Sequence, residues 1–269
     1  MRRKGRRRWV IPLVVVAALV SGATFLFLRS DHPLVESARS FLVSRIYAFL
    51  HLDRTFPGES IQERLQGRGF AVGDPVVIRI FKEESKLEIW MEKQGRFLLA
   101  LTYDICAWSG KLGPKLREGD NQSPEGFYLA SSRQLNPRSN YHRAINIGFP
   151  NAYDLEHGRT GTYLMIHGAC VSIGCYAMTD AVADDIFRIV EGALNAGQAS
   201  VPIHILPFRM TPENLARHRG SNWADFWNNL AEGDRMFLRS GAQPRVSACQ
   251  GRYVFGETDA SCRAITSWQ

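Results

Sequence analysis

The 269 residues hold no C-x2-C pair, no internal repeat and no low-complexity tract. Those gaps argue against paired-cysteine zinc modules, solenoids and disordered linkers. Basic charge is also scarce where it would matter. The formal net charge is +7, but Arg2, Arg3, Lys4, Arg6, Arg7 and Arg8 carry six of it, leaving +1 for everything after them. A broad basic face for phosphates is therefore excluded, and no nucleic acid is expected as a partner. Cysteine is limited to five residues, too few for a disulfide miniprotein, while 45% hydrophobic residues suffice for a real core.

What is present begins with residues 9–28, WVIPLVVVAALVSGATFLFL, uncharged and closed by Arg29. As a helix this run spans about 30 Å, the thickness of a bilayer core, and the cations before it hold the N-terminus in the cytoplasm. The expectation is a single-pass inner-membrane anchor with the remainder in the periplasm. The alternative is a cleaved signal peptide, since Ser21-Gly22-Ala23 resembles a cleavage site, which would leave a soluble periplasmic protein. The expected organisation is a basic stub (1–8), the anchor (9–28), a linker with helices (29–75), a catalytic domain (76–207) and a C-terminal extension (208–269).

Export sets how the cysteines are read. Five is odd, so one of Cys106, Cys170, Cys175, Cys249 and Cys262 stays outside any intramolecular disulfide. Cys249 and Cys262 bracket a short loop and are the expected disulfide. The leftover thiol is a candidate for reactivity.

After an apolar helical pattern at 31–55 and a short helix at 60–67, the runs Val76–Phe81, Lys86–Glu92 and Arg96–Trp108 predict an antiparallel meander. Residues 110–126 and 136–161 are rich in Gly, Pro and Asn and read as loops. In TYLMIHG the alternation places Tyr163, Met165 and His167 on one face, so His167 ends a strand. Gly168 releases it, a glycine-bounded loop leads to Cys175, and Thr179 or Asp180 caps a helix that runs to Gly197. Trp223–Leu230 predicts a helix and Tyr253–Phe255 a strand, while His204 in VPIHIL reads as structural.

The order strand, His, loop, Cys, helix suits acyl chemistry. A cysteine attacks as a thiolate and is only a few per cent ionised near neutrality. A nearby imidazole and the positive end of the next helix are two ways to lower its pKa, and the amides of Gly174 and Cys175 are natural oxyanion donors. Spacing alone permits this dyad without requiring it. Ordinary packing of both residues is one alternative, and zinc held by His167, Cys170 and Cys175 as H-x2-C-x4-C is another.

Residues 166–180, IHGACVSIGCYAMTD, resemble the catalytic signature of the YkuD-type L,D-transpeptidases. Residues 109–128 and 146–161, with the NWADFWNNL and YVF pieces of the tail, are similar to the YafK-like branch. The resemblance implies a mainly β fold with flanking helices (α+β), a β-sandwich of the YkuD type behind the N-terminal anchor, with no metal and no organic cofactor. It implies Cys175 as nucleophile, His167 as general base and then acid, Gly174 and Ser172 shaping the oxyanion turn, and Tyr163 and Gly168 lining the substrate. The implied partners are peptidoglycan stem peptides and a wall-attached protein or lipoprotein. Family members form a thioester with the third-position diamino acid and pass it to an amine or to water. Ile173 stands where the common pattern has a second histidine, and the spacer between His167 and Cys175 is longer. Both are features of the YafK-like branch, some of whose members hydrolyse and detach lipoprotein from the wall. A catalytically idle wall-binding protein on the same fold is the reading from another class.

Overall fold

The computed structural model describes residues 59–257 and 260–267. The predicted span at 9–28 and the helical pattern at 31–55 lie outside them. Among the described residues no helix is long and apolar enough to cross a membrane.

The chain enters through α1 (Ile61–Gln66), which a capping box between Ser60 and Glu63 starts, satisfying the first free amides of the helix. The meander follows as β1 (Val76–Phe81), β2 (Lys86–Lys93) and β3 (Arg96–Asp104). β3 stops four residues before the predicted Trp108. β4 (Gly126–Ala130) and β9 (Val201–Leu206) complete a five-stranded sheet in the order β3-β2-β1-β9-β4, with β1 and β9 parallel and the other neighbours antiparallel. β1 and β9 are buried at every position, which is why both read as near-continuous apolar runs rather than alternating ones.

A second sheet carries the signature motif: β5 (Leu135–Ser139), β6 (His142–Asn146), β7 (Met165–His167) and β8 (Tyr176–Ala177), in that order, with β7 and β8 parallel. The region read as loop at 136–161 therefore contains two strands and the short helix α2 (Ala152–Glu156). Neither strand alternates in burial, and the region's Pro, Ser and Asn content reads as turn, so only the pairing identifies them. β7 is also shorter than predicted, because Tyr163 has φ +54° and cannot join the extended alternation.

Helix α3 (Asp180–Asn195) starts at Thr179, whose side chain accepts from the Val182 amide. It buries Ile186, Ile189, Val190 and Ala193 in a core shared with one face of the five-stranded sheet and with Ile145, Ile166 and Tyr176 of the second sheet. The opposite face of the large sheet is covered by α5 (Ala224–Ser240), which follows α4 (Pro212–Arg217), and by a three-stranded sheet of β10 (Val246–Cys249), β11 (Arg252–Phe255) and β12 (Arg263–Ala264). α5 runs ten residues past the predicted Leu230. The stretch after Leu230 is polar in composition, yet Ala231, Gly233, Asp234 and Phe237 face inward, and Gly241 at φ +68° ends the helix in the left-handed form. Phe226 and Trp227 pack in this second core rather than forming a surface. The architecture is mixed α+β, mainly sheet with few helices.

Candidate active site

β7 and β8 lie side by side in parallel, with Ile166 opposite Tyr176 and His167 opposite Ala177. Carried one residue back, this register sets Cys175 beside Met165, two positions along the strand from His167. Residues two apart in a strand share a face, so the thiol and the imidazole project to the same side of the sheet. Ile166 and Tyr176 point the other way, into the core.

The imidazole is buried, and its Nδ1 lies 2.6 Å from the carbonyl oxygen of Gly168. A carbonyl only accepts, so Nδ1 carries the hydrogen and Nε2 keeps the lone pair of the neutral ring. Burial lowers the His167 pKa below the usual value, partly opposed by the Gly168 bond. Tyr141 covers the ring with a centroid separation of 5.0 Å.

Cys175 is half-buried and is the single free cysteine among the described residues. Its Sγ–H donates to the Tyr163 carbonyl at 3.7 Å, and no hydrogen bond joins Sγ to the imidazole. Burial pushes the thiol pKa up, while the Met165 backbone and the charge of Lys115 pull it partly back. The expected assistance from a helix terminus is not found. β8 and Met178 intervene, and α3 begins only at Asp180, so Cys175 is not at a helix end. Both groups thus rest uncharged near neutrality.

The turn around Cys175 is built by serines. The Cys175 carbonyl accepts from Ser172 Oγ at 2.7 Å and from Ser123 Oγ at 3.2 Å, while Ser172 Oγ accepts from the Gly174 amide at 3.2 Å. One of the two predicted oxyanion donors is therefore engaged, which leaves the Cys175 amide as the remaining candidate. Gly174 has φ +133°, a conformation that disfavours a side chain. Ser123 belongs to a loop pinned from beneath by Lys82, fully buried, whose Nζ donates to the carbonyls of Lys111, Gly113 and Ser123 and sits 3.0 Å from Glu125. From sequence, this segment reads as turn chemistry alone. The GKLGP and NQSPEG glycines and prolines mark its turns but do not point to Lys82, which directly follows β1 of the large sheet.

Tyr163 and Ile173 are exposed, at 70% and 76%, on the two segments that flank Cys175, the first through its carbonyl and the second two residues before it. Gly168 does not line an opening. It is buried, and a Cβ there would come within 2.6 Å of Asp180 Oδ1 and 2.9 Å of the His142 Cβ, so its smallness serves packing. Cys249 and Cys262 form a disulfide, and so do Cys106 and Cys170. The second bridge removes Cys170 from the zinc set H-x2-C-x4-C, and no cluster of three or more His, Cys, Asp or Glu side chains suited to a metal occurs among the described residues.

The family model for the L,D-transpeptidase catalytic domain (YkuD) matches residues 75–205. Over 183 residues the chain is 54% identical to "Putative L,D-transpeptidase YafK" of Escherichia coli K12, covering 68% of this chain and 74% of that one. Among solved structures, the helical cell shape determining protein Pgp2 of Campylobacter jejuni aligns at TM-score 0.41 and 14% identity, covering 77% of this chain and 98% of that one. L,D-transpeptidase 1 of Mycobacterium tuberculosis aligns at TM-score 0.29 and 16% identity, covering 51% and 64%.

Proposed function

This chain belongs to the YkuD family of L,D-transpeptidase catalytic domains, with YafK among its relatives, and from that premise we propose that it is an exported cysteine acyltransferase of peptidoglycan. Cys175 is the nucleophile. As Sγ approaches the carbonyl carbon of the third-position diamino acid in a stem peptide, His167 Nε2 takes the thiol proton and the carbonyl oxygen becomes an oxyanion facing the Cys175 amide. Collapse of the tetrahedral intermediate breaks the amide bond, the imidazolium returns its proton to the departing amine, and a thioester remains. An amine or a water molecule then attacks the thioester, giving up a proton to His167, and Cys175 is regenerated. With an amine the product is a crosslink or an attached protein; with water the enzyme is a hydrolase that can release protein or lipoprotein from the wall. Residues 9–28 anchor the protein in the inner membrane, and the catalytic domain works in the periplasm.

The observation that carries this reading is the β7/β8 register, which sets the one unpaired thiol, on the residue before β8, to the same side as an Nε2-accepting imidazole on β7, with the four other cysteines tied in disulfides. Resting neutrality of both groups fits general-base activation during attack rather than a preformed ion pair. The test is incubation of purified protein with muropeptides, with and without an added amine, followed by mass spectrometry. Cys175→Ala is expected to keep its fold and lose all turnover and the acyl adduct, and unchanged turnover would refute the assignment.

A further inference from the structure

The peptide unit between Gly168 and Ala169 is held from both ends. Its carbonyl accepts from His167 Nδ1 at 2.6 Å, and its N–H donates to Asp180 Oδ1, the first residue of α3, at 2.7 Å. We propose that Asp180 is a positioning residue for His167 that acts through this peptide, orienting the carbonyl and polarising it toward the imidazole. The proposal rests on the cysteine-and-histidine reading above.

Two further observations and one general consideration bear on it. Ala169 and Cys170 both have positive φ, +64° and +52°, a conformation that non-glycine residues adopt at a cost and keep only when their surroundings impose it. The loop is imposed here by the Asp180 bond, the Cys170 amide on the Met178 carbonyl and the Cys106–Cys170 bridge. Gly168 has no room for a Cβ because Asp180 Oδ1 lies against it, so carboxylate and loop are fitted to one another. Finally, a carboxylate that fixes and polarises a histidine's hydrogen-bond acceptor strengthens the ring as a base, whether it touches the ring directly or through one polarised group.

Tyr141, the residue before β6, packs against the ring, and His142 at the start of β6 lies against Gly168. His142 and Arg143 are both taken up by Asp184, at 3.0 and 2.9 Å, which leaves Asp180 as the acid that meets the loop. Asp180 is exposed and its charge is screened by water, so the effect should be moderate.

A plain structural role, first-turn acid of α3, is the competing explanation, and the pH profile separates the two. Wild type, Asp180→Asn and Asp180→Ala are compared for kcat, KM and the pH dependence of kcat/KM on a soluble stem peptide, with melting curves recorded for each and Cys175→Ala as the blank. Asp180→Ala is expected to lose about tenfold in kcat with KM nearly unchanged. Asp180→Asn keeps an oxygen to accept the Ala169 amide and is expected to recover most of that loss. Both variants move the acid limb of kcat/KM to lower pH, because removing the negative charge makes the imidazole harder to protonate. An acid limb that stays at the wild-type pH in both variants overturns the proposal, whatever happens to kcat. Inactive Cys175→Ala with wild-type-like Asp180 variants sinks this inference alone, whereas an active Cys175→Ala sinks the site reading beneath it.

Discussion

Cys175 and His167 are pushed in opposite directions by the same cause. Burial disfavours charge on either group, so it raises the thiol and lowers the imidazole, and the stable resting pair is thiol and neutral ring. A preformed thiolate–imidazolium pair would react with alkylating agents down to acidic pH. Here the rate of Cys175 alkylation by iodoacetamide is expected to keep climbing as pH rises through and beyond about 8.5, the ordinary thiol range. A rate that is already flat below neutrality would show that the pair is ionised. The two residues themselves were legible in the sequence because a strand ending in His and a glycine-bounded loop ending in Cys are local patterns. Asp180 was legible only as a helix cap. Its second role depends on where the Ala169 amide points, and nothing in the one-dimensional pattern encodes that. The direction of the Cys175 shift was misread for a similar reason: the sequence shows a helix downstream, but not that two strand residues turn the thiol away from its end.

The elements tell the same story one level up. β1, β2, α3 and β9 have strong periodicity or continuous apolar runs, and each could be placed from sequence. β5, β6 and β10 could not, because short strands with Pro, Ser or Arg take their stability from partners distant in the chain. The Cys106–Cys170 bridge is likewise an inter-element fact, tying the segment after β3 to the loop between β7 and β8 across 64 residues. Spacing favours the short Cys249–Cys262 loop, and the long-range pair is invisible without the sheet topology. Cross-linking a long loop restricts the unfolded chain, so the double variant Cys106→Ala/Cys170→Ala should lose about 2–4 kcal/mol of stability in urea titrations. It should also lose more activity than stability alone explains, since the freed segment is the one that orients the Gly168 carbonyl. Full activity in the folded double variant would show that Asp180 and the Met178 carbonyl hold the loop unaided.

At the scale of the whole molecule, the large sheet is a platform with two covered faces, and His204 on β9 lies on the face away from the candidate site. It is buried between Phe127 and Phe237, ring centroids 4.9 and 5.2 Å away, with Nε2 donating to Gln243 Oε1 at 2.8 Å. Burial, reinforced by the neighbouring Arg79 charge and only partly opposed by the Gln243 bond, pushes its pKa down to about 3. In the unfolded chain the same imidazole titrates near 6.5. Between those two values the unfolded state binds a proton that the folded state refuses, so unfolding is favoured as pH falls, and the stability is fully present only above about 6.5. The contribution from this one group approaches about 1.4 kcal/mol per pH unit within the window. His167, also lowered, adds in the same direction. Urea midpoints measured from pH 7 down to pH 4 are therefore expected to fall for the wild type and to fall less steeply for His204→Gln, whatever the variant's stability at pH 7. Parallel curves would mean that the ring is already protonated in the fold, its charge met by water or an anion in the cavity that His204 lines with Phe127 and Gln243.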